Sequence, residues 1–215
     1  MNRNRIAMAM AALGLLASAP AAAQRITYAD RVVSYEPVFS GGIQAPAAYS
    51  NPANALGAPD YAGVDTCLSA AACSFVSLGD GGRITLQFTN SRLTGSGTSA
   101  ADLFIYEVGG YVESTDVEIS TDGSDWLSLG RIGGSTRGID LDSFGYGTGS
   151  RFSFVRLTDV FRVDPLGRTP GADIDAVGAL SSAAVPEPAS WAMMIGGFGL
   201  VGGMARRRRR EMAHA

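Results

Sequence analysis

The chain of 215 residues contains no lysine, and its single histidine, His214, is the penultimate residue. These absences remove whole classes of chemistry. Without lysine there is no Walker A phosphate loop, no Schiff base and no Ser-Lys dyad. Without a histidine in the body of the chain, Ser-His-Asp and Cys-His schemes lack their base. Cysteine is scarce too, at two residues, which excludes a disulfide-rich scaffold. Charged residues make up 17% against 46% hydrophobic, a balance too apolar for a disordered chain. Between Gln24 and Val185 ten arginines stand against eighteen Asp and Glu residues, a net of −8. So acidic a body disfavours nucleic acid, whose binding draws on phosphate neutralisation. Sustained apolar spacing at helical period is missing from the same stretch, and so is any internal repeat.

What is present begins with two unusual ends. Arg3 and Arg5 precede an apolar stretch of 12 residues, Ile6 to Ala17, which is too short to cross a bilayer comfortably. Pro20 breaks the helix, and Ala21, Ala22 and Ala23 supply small residues at a cleavage site. Residues 1–23 therefore read as a secretory signal peptide cut between Ala23 and Gln24, with an uncleaved membrane anchor as the alternative. At the other end, Trp191 to Ala205 forms a second apolar segment of 15 residues, followed by Arg206, Arg207, Arg208, Arg209 and Arg210. As a helix it would extend about 22 Å at roughly 1.5 Å per residue, short for a lasting anchor. Trp191 suits one membrane interface, and the arginines stay cytoplasmic by the positive-inside rule. That orientation leaves the main domain outside the inner membrane. Gly199 and Gly203, with Ala192 and Gly196 at the same spacing, give one face of this helix a close-packing stripe.

Pro186-Glu187-Pro188, then Trp191, a short glycine-rich apolar helix and a terminal arginine cluster together resemble the PEP-CTERM sorting signal. In that family an exosortase, an integral-membrane cysteine transpeptidase, recognises the signal in Gram-negative bacteria that make extracellular polysaccharide. The resemblance implies transient residence in the inner membrane, removal of the tail near Pro-Glu-Pro, and delivery to the cell surface or matrix. The chain then divides into a signal peptide (1–23), a central domain (24–184), a sorting signal (185–210) and a short tail (211–215).

The central domain reads as all-β, an antiparallel sandwich or jelly roll flanked by an N-terminal signal helix and a C-terminal hydrophobic helix. Ile84, Leu86 and Phe88 alternate with Arg83, Thr85 and Gln87, and Val117 and Ile119 alternate with Asp116 and Glu118. In each run one face enters a core while the other stays wet. Leu103 to Tyr106 is apolar on both faces, as in a central strand covered on both sides. Asp122-Gly123 marks a hairpin turn, and Trp126 opens the return strand with a large apolar body to bury. Eight or nine short strands are expected. Gly145 to Gly149 is glycine-rich, but a strand-like run follows it, so it reads as a loop and not a phosphate cradle.

Cys67 and Cys73 are separated by five residues. In an oxidising compartment they can close a tight disulfide loop; a redox pair or a metal site is the alternative. Three acidic groups are candidate calcium ligands, since calcium takes six to eight hard oxygens, often from converging loops. They are Asp60 with Asp65; Asp173 and Asp175, whose spacing of two puts both on one side of a strand; and Asp102 with Glu107, on opposite faces of theirs. The simpler reading of such acids is solvated caps and edge guards.

The run Ala55 to Asp60, then Ser77 to Leu86, Asp102 to Glu107, Val117 to Trp126 and finally Asp173 to Val177 is similar to galactose-binding-like jelly rolls of the discoidin type. The resemblance spans about residues 48–180 and implies a structural calcium between an early loop and the last strand, at Asp60 and Asp173 or Asp175. Many such modules bind glycans through apical loops, where Tyr49, Tyr61, Tyr111 and Tyr146 could stack on a sugar; ordinary packing is the competing role. The expectation is an exported surface or matrix protein, structural, adhesive or glycan-binding, partnered by exosortase, inner membrane and extracellular polysaccharide, with no enzymatic activity. The alternative is a carbohydrate-active enzyme of that layer working through a carboxylate pair.

Overall fold

In the computed structural model residues 25–39, 47–64, 67, 69, 72–109, 113–133, 136–160, 171–181 and 196–198 are described. Among them ten strands form two five-stranded antiparallel sheets. The first sheet orders β1 (Arg25–Tyr28), β10 (Asp173–Ser181), β5 (Leu103–Glu107) and β8 (Thr136–Ile139), and β3 (Val76–Ser77) joins β1 on the same side of β10. The second orders β2 (Arg31–Glu36), β4 (Arg83–Gln87), β9 (Phe154–Asp159), β6 (Ser114–Ser120) and β7 (Leu127–Gly133). The all-β sandwich expected from the sequence is the fold.

Register explains why the alternating residues meet. On the second sheet Val117 lies opposite Leu157 and Ile119 opposite Val155, while Ile84 and Leu86 face those same residues across the β4–β9 ladder. All six are fully buried. The first sheet answers with Leu103, Ile105, Ile139, Ile174, Val177 and Ala179, and one apolar cluster fills the space between. Each such side chain contributes about 1.5–3 kcal/mol by leaving water, so this cluster is the main source of stability.

Two departures from the expected pattern are instructive. Leu103 to Tyr106 is not buried on both faces: Leu103 and Ile105 point into the core, whereas Phe104 and Tyr106 are half-buried on the outer face. The strand covered on both sides is β10, which is buried from Asp173 to Ala179. A bulge between Ile174 and Ala176 shifts its register. That extra residue lets Ile174 and Val177, an odd spacing apart, share the core.

Trp126 also corrects the expectation of a core tryptophan. It is half-buried in the connection between β6 and β7, with the Arg156 guanidinium 4.0 Å above its ring. Arg156 in turn donates to Glu118 at 2.7 Å. The indole thus covers a charged pair on the outside of the second sheet. Gly123, at φ +83°, supplies the expected turn, and the Asp122 carboxylate accepts from the Ser124 and Asp125 amides beyond it.

Candidate functional site

Cys67 and Cys73 are joined in a disulfide with Cα atoms 4.9 Å apart. Cys73 belongs to a small satellite core with Tyr49, Phe75 and Val108, and Cys67, Tyr61 and Phe39 pack against it. Tyr49 is buried: it is tilted against Phe75, and its hydroxyl oxygen accepts from the Cys67 amide at 3.0 Å. Tyr61 sets its edge on the same Phe75, and Tyr146 does likewise on Phe152. Three of the four loop tyrosines considered for sugar stacking therefore have packing partners; Tyr111 lies outside the described residues.

The acidic residues proposed for calcium divide between two neighbourhoods. Asp175 is buried, and its two carboxylate oxygens accept from the Asp60 and Tyr61 amides at 3.2 and 3.3 Å. Burial raises its pKa to about 6; those two amides oppose the rise, and the negative charge of Asp60 adds to it. Asp60 itself is exposed. Asp175 thus clamps the early loop onto the last strand through backbone bonds. Asp173 lies by the bulge in a different setting, beside Tyr35 and Glu107. Tyr35 donates to the Ser77 carbonyl at 2.6 Å, and its pKa is pushed up to about 12 by burial and by the Asp173 charge. Among the described residues Asp60, Asp173 and Asp175 do not converge as one ligand group. Asp65 lies outside the described residues.

Glu107 closes β5 and is 3% exposed. Burial first, then its neighbour Glu113 and the charge of Asp173, raise its pKa to about 9, so it is neutral at pH 7. Asp102, five residues earlier, lies roughly 17 Å away at about 3.3 Å of strand rise per residue. The two serve separate ends of the strand.

A constellation that spacing in the sequence does not reveal forms around Asp102. One carboxylate oxygen from each of Asp102, Asp140 and Asp142 lies within 4.8 Å of the others. The β5–β8 register brings this about: Leu103 pairs with Ile139, so Asp102 and Asp140 flank the next position of the ladder. The Asp102 amide donates to the Ile139 carbonyl at 2.8 Å, and the Leu141 amide donates to Asp102 Oδ2 at 2.9 Å. Burial raises the Asp102 pKa; the Leu141 amide and polar groups of Ser96 oppose the rise, and the Asp142 charge adds to it. The only hint in the sequence is that Asp140 and Asp142 alternate around a buried Leu141.

On the outer face of the first sheet Tyr28 and Tyr106 stand 6.2 Å apart, centroid to centroid. Gly178 lies beneath them, with Ile26 alongside, and a Cβ there would come within 3.1–3.4 Å of all three side chains. The missing side chain leaves room for the two half-exposed rings, which are tilted 53° to each other.

The sorting residues Pro186, Glu187, Pro188, Trp191 and Arg206 to Arg210 lie outside the described residues, as do Ala23 and Gln24. Gly196 to Phe198 form one helical turn with Phe198 exposed. Among the described residues no helix is long and apolar enough to cross a membrane. Comparison of sequences finds the PEP-CTERM protein-sorting motif at residues 184–210, three residues beyond the end of β10. The motif implies export, sorting by exosortase with a transient stay in the membrane, and a destination at the cell surface. No curated protein matches the chain.

Proposed function

We propose that the protein is a non-enzymatic component of the exopolysaccharide layer, held at the surface or in the matrix and contributing structure or adhesion through glycan contact. The observation that carries this reading is the sorting motif beginning just after the last strand, which makes the sandwich the cargo. The use of the acids supports it. The carboxylates of Asp30, Asp122, Asp159 and Asp175 all accept backbone amides, which is the work of loop clamps. Glu107 and Asp175, whose raised pKa values would suit a general acid, are buried at 3% and 2% exposure, out of reach of a polymer chain. The half-exposed pair of Tyr28 and Tyr106 over Gly178 offers ring faces of the kind that stack on sugars.

The experiment has two arms. Glu187→Ala should leave the protein unprocessed at the inner membrane, while the wild type is recovered from the matrix with its arginine cluster removed. In affinity gels containing the organism's own polysaccharide, the wild-type protein should be retarded and Tyr28→Ala/Tyr106→Ala should not. Turnover of that polysaccharide by the wild type, lost on replacing an acidic residue, would overturn the non-enzymatic reading.

A further inference from the structure

We infer that Asp102, Asp140 and Asp142 form a calcium site that fastens the 95–98 and 140–147 loops to the edge of the first sheet. Three observations converge on it. The first is proximity: three carboxylates present oxygens within 4.8 Å of one another. The second is the state of Asp102. Its side chain is fully buried, Oδ2 accepts from the Leu141 amide, polar groups of Ser96 lie close by, and among the described residues Oδ1 has no donor within hydrogen-bond geometry. A buried carboxylate oxygen without a donor is costly unless a cation meets it. The Leu141 bond fixes this carboxylate against the very turn that carries Asp140 and Asp142.

The third is how the other two acids are held. Asp142 Oδ2 accepts from the Gly97 amide and Asp140 Oδ1 accepts from the Asp142 amide, both at 2.9 Å. Each acid is thereby oriented through one oxygen and retains the other for a ligand. Among the described residues none of the three is in an ion pair. Arg151 donates through one guanidinium nitrogen to Thr94 and to the Thr148 and Ser150 carbonyls, and not to these acids. Three like charges at this distance repel one another, and a divalent cation reverses the sign of that interaction. Hard oxygen donors without nitrogen or sulfur select calcium or magnesium, and a cluster with one rigid and two half-exposed members suits the more tolerant calcium shell, completed by water.

The site differs from the glycan-contact strip in residues and in readout, so either can fail alone. Calorimetric titration of the processed protein with calcium chloride should show one site, with a Kd on the order of 10⁻⁴ to 10⁻³ M as in other extracellular modules. Excess calcium should raise Tm by several degrees over the chelator-treated protein. Terbium bound in place of calcium should luminesce through Tyr146, four residues from Asp142. Asp140→Asn and Asp142→Asn, both half-exposed and able to keep their amide bonds, should weaken calcium at least tenfold; Asp175→Asn should leave the affinity unchanged. Equal Tm values in chelator and in excess calcium would overturn the inference. So would a shift retained in full by Asp142→Asn or lost in Asp175→Asn alone.

Discussion

Gly171 meets Gly79 backbone to backbone: a Cβ on Gly171 would lie 2.1 Å from the Gly79 carbonyl oxygen. Both residues have positive φ, +77° and +74°. Nearby, the buried Asp159 carboxylate accepts from the Gly81 and Ala172 amides, each at 2.9 Å, and so binds the two glycine turns together. Gly171→Ala should destabilise the domain by about 2–4 kcal/mol, from strain and forced backbone displacement. Asp159→Ala should lose about 1–3 kcal/mol by orphaning buried amides. Urea denaturation measures both; losses below 0.5 kcal/mol would contradict this account of the junction.

Opening the Cys67–Cys73 bond should act locally. A loop this short stabilises the fold by about 2 kcal/mol on chain-entropy grounds. Cys67→Ser/Cys73→Ser should reduce stability by that amount and speed amide exchange around Tyr49 and Phe75, which pack with the two cysteines. Unchanged exchange there would show that the satellite core holds without its staple.

Glu107 makes stability depend on pH in a defined direction. Its folded pKa of about 9 lies above the ordinary value of 4.5, so the folded state keeps a proton that the unfolded chain has released. That contribution is complete below pH 4.5 and is lost progressively as pH rises to about 9. Asp175 adds to the same trend between pH 3.8 and about 6. Melting temperature should therefore fall from pH 6 to 9 in the wild type, and Glu107→Gln should flatten the slope. Parallel slopes for the two proteins would assign the effect elsewhere.

Arg156 lies 4.0 Å over Trp126 and 2.7 Å from Glu118, with its side chain about one-fifth exposed. Arg156→Ala should cost about 1 kcal/mol. It should also shift Trp126 emission to the red and increase quenching by acrylamide. A spectrum unchanged by the substitution would mean that the guanidinium does not shield the indole.

Local patterning made the second sheet legible. Alternation at Ile84, Leu86, Val117 and Ile119 follows from the two-residue period of a strand, and Gly123 follows from the φ its turn requires. The Cys67–Cys73 pairing was legible because so short a separation admits closure. Features set by register were not. The bulge at Asp175 breaks the rule that residues two apart share a face, and so separates Asp173 from it. Trp126 looked like a core residue because size alone argues for burial, yet Arg156 on the neighbouring strand gives it a partner at the surface. Asp102 and Asp140 are 38 positions apart in the chain, and only the pairing of β5 with β8 makes them neighbours.

The position of β10 bears on how the molecule carries load. It is the last strand before the sorting motif and an inner one, bonded to β1 and β3 on one side and β5 on the other. Its residue Ser181 pairs with Arg25 in the first strand. Tension applied through the C-terminal tether therefore enters at the centre of a sheet, where several ladders must slip together, and not at a rim that could be peeled one rung at a time. The same arrangement means that the first sheet cannot close until its C-terminal strand is present, because β10 is the ladder that joins β1 to β5.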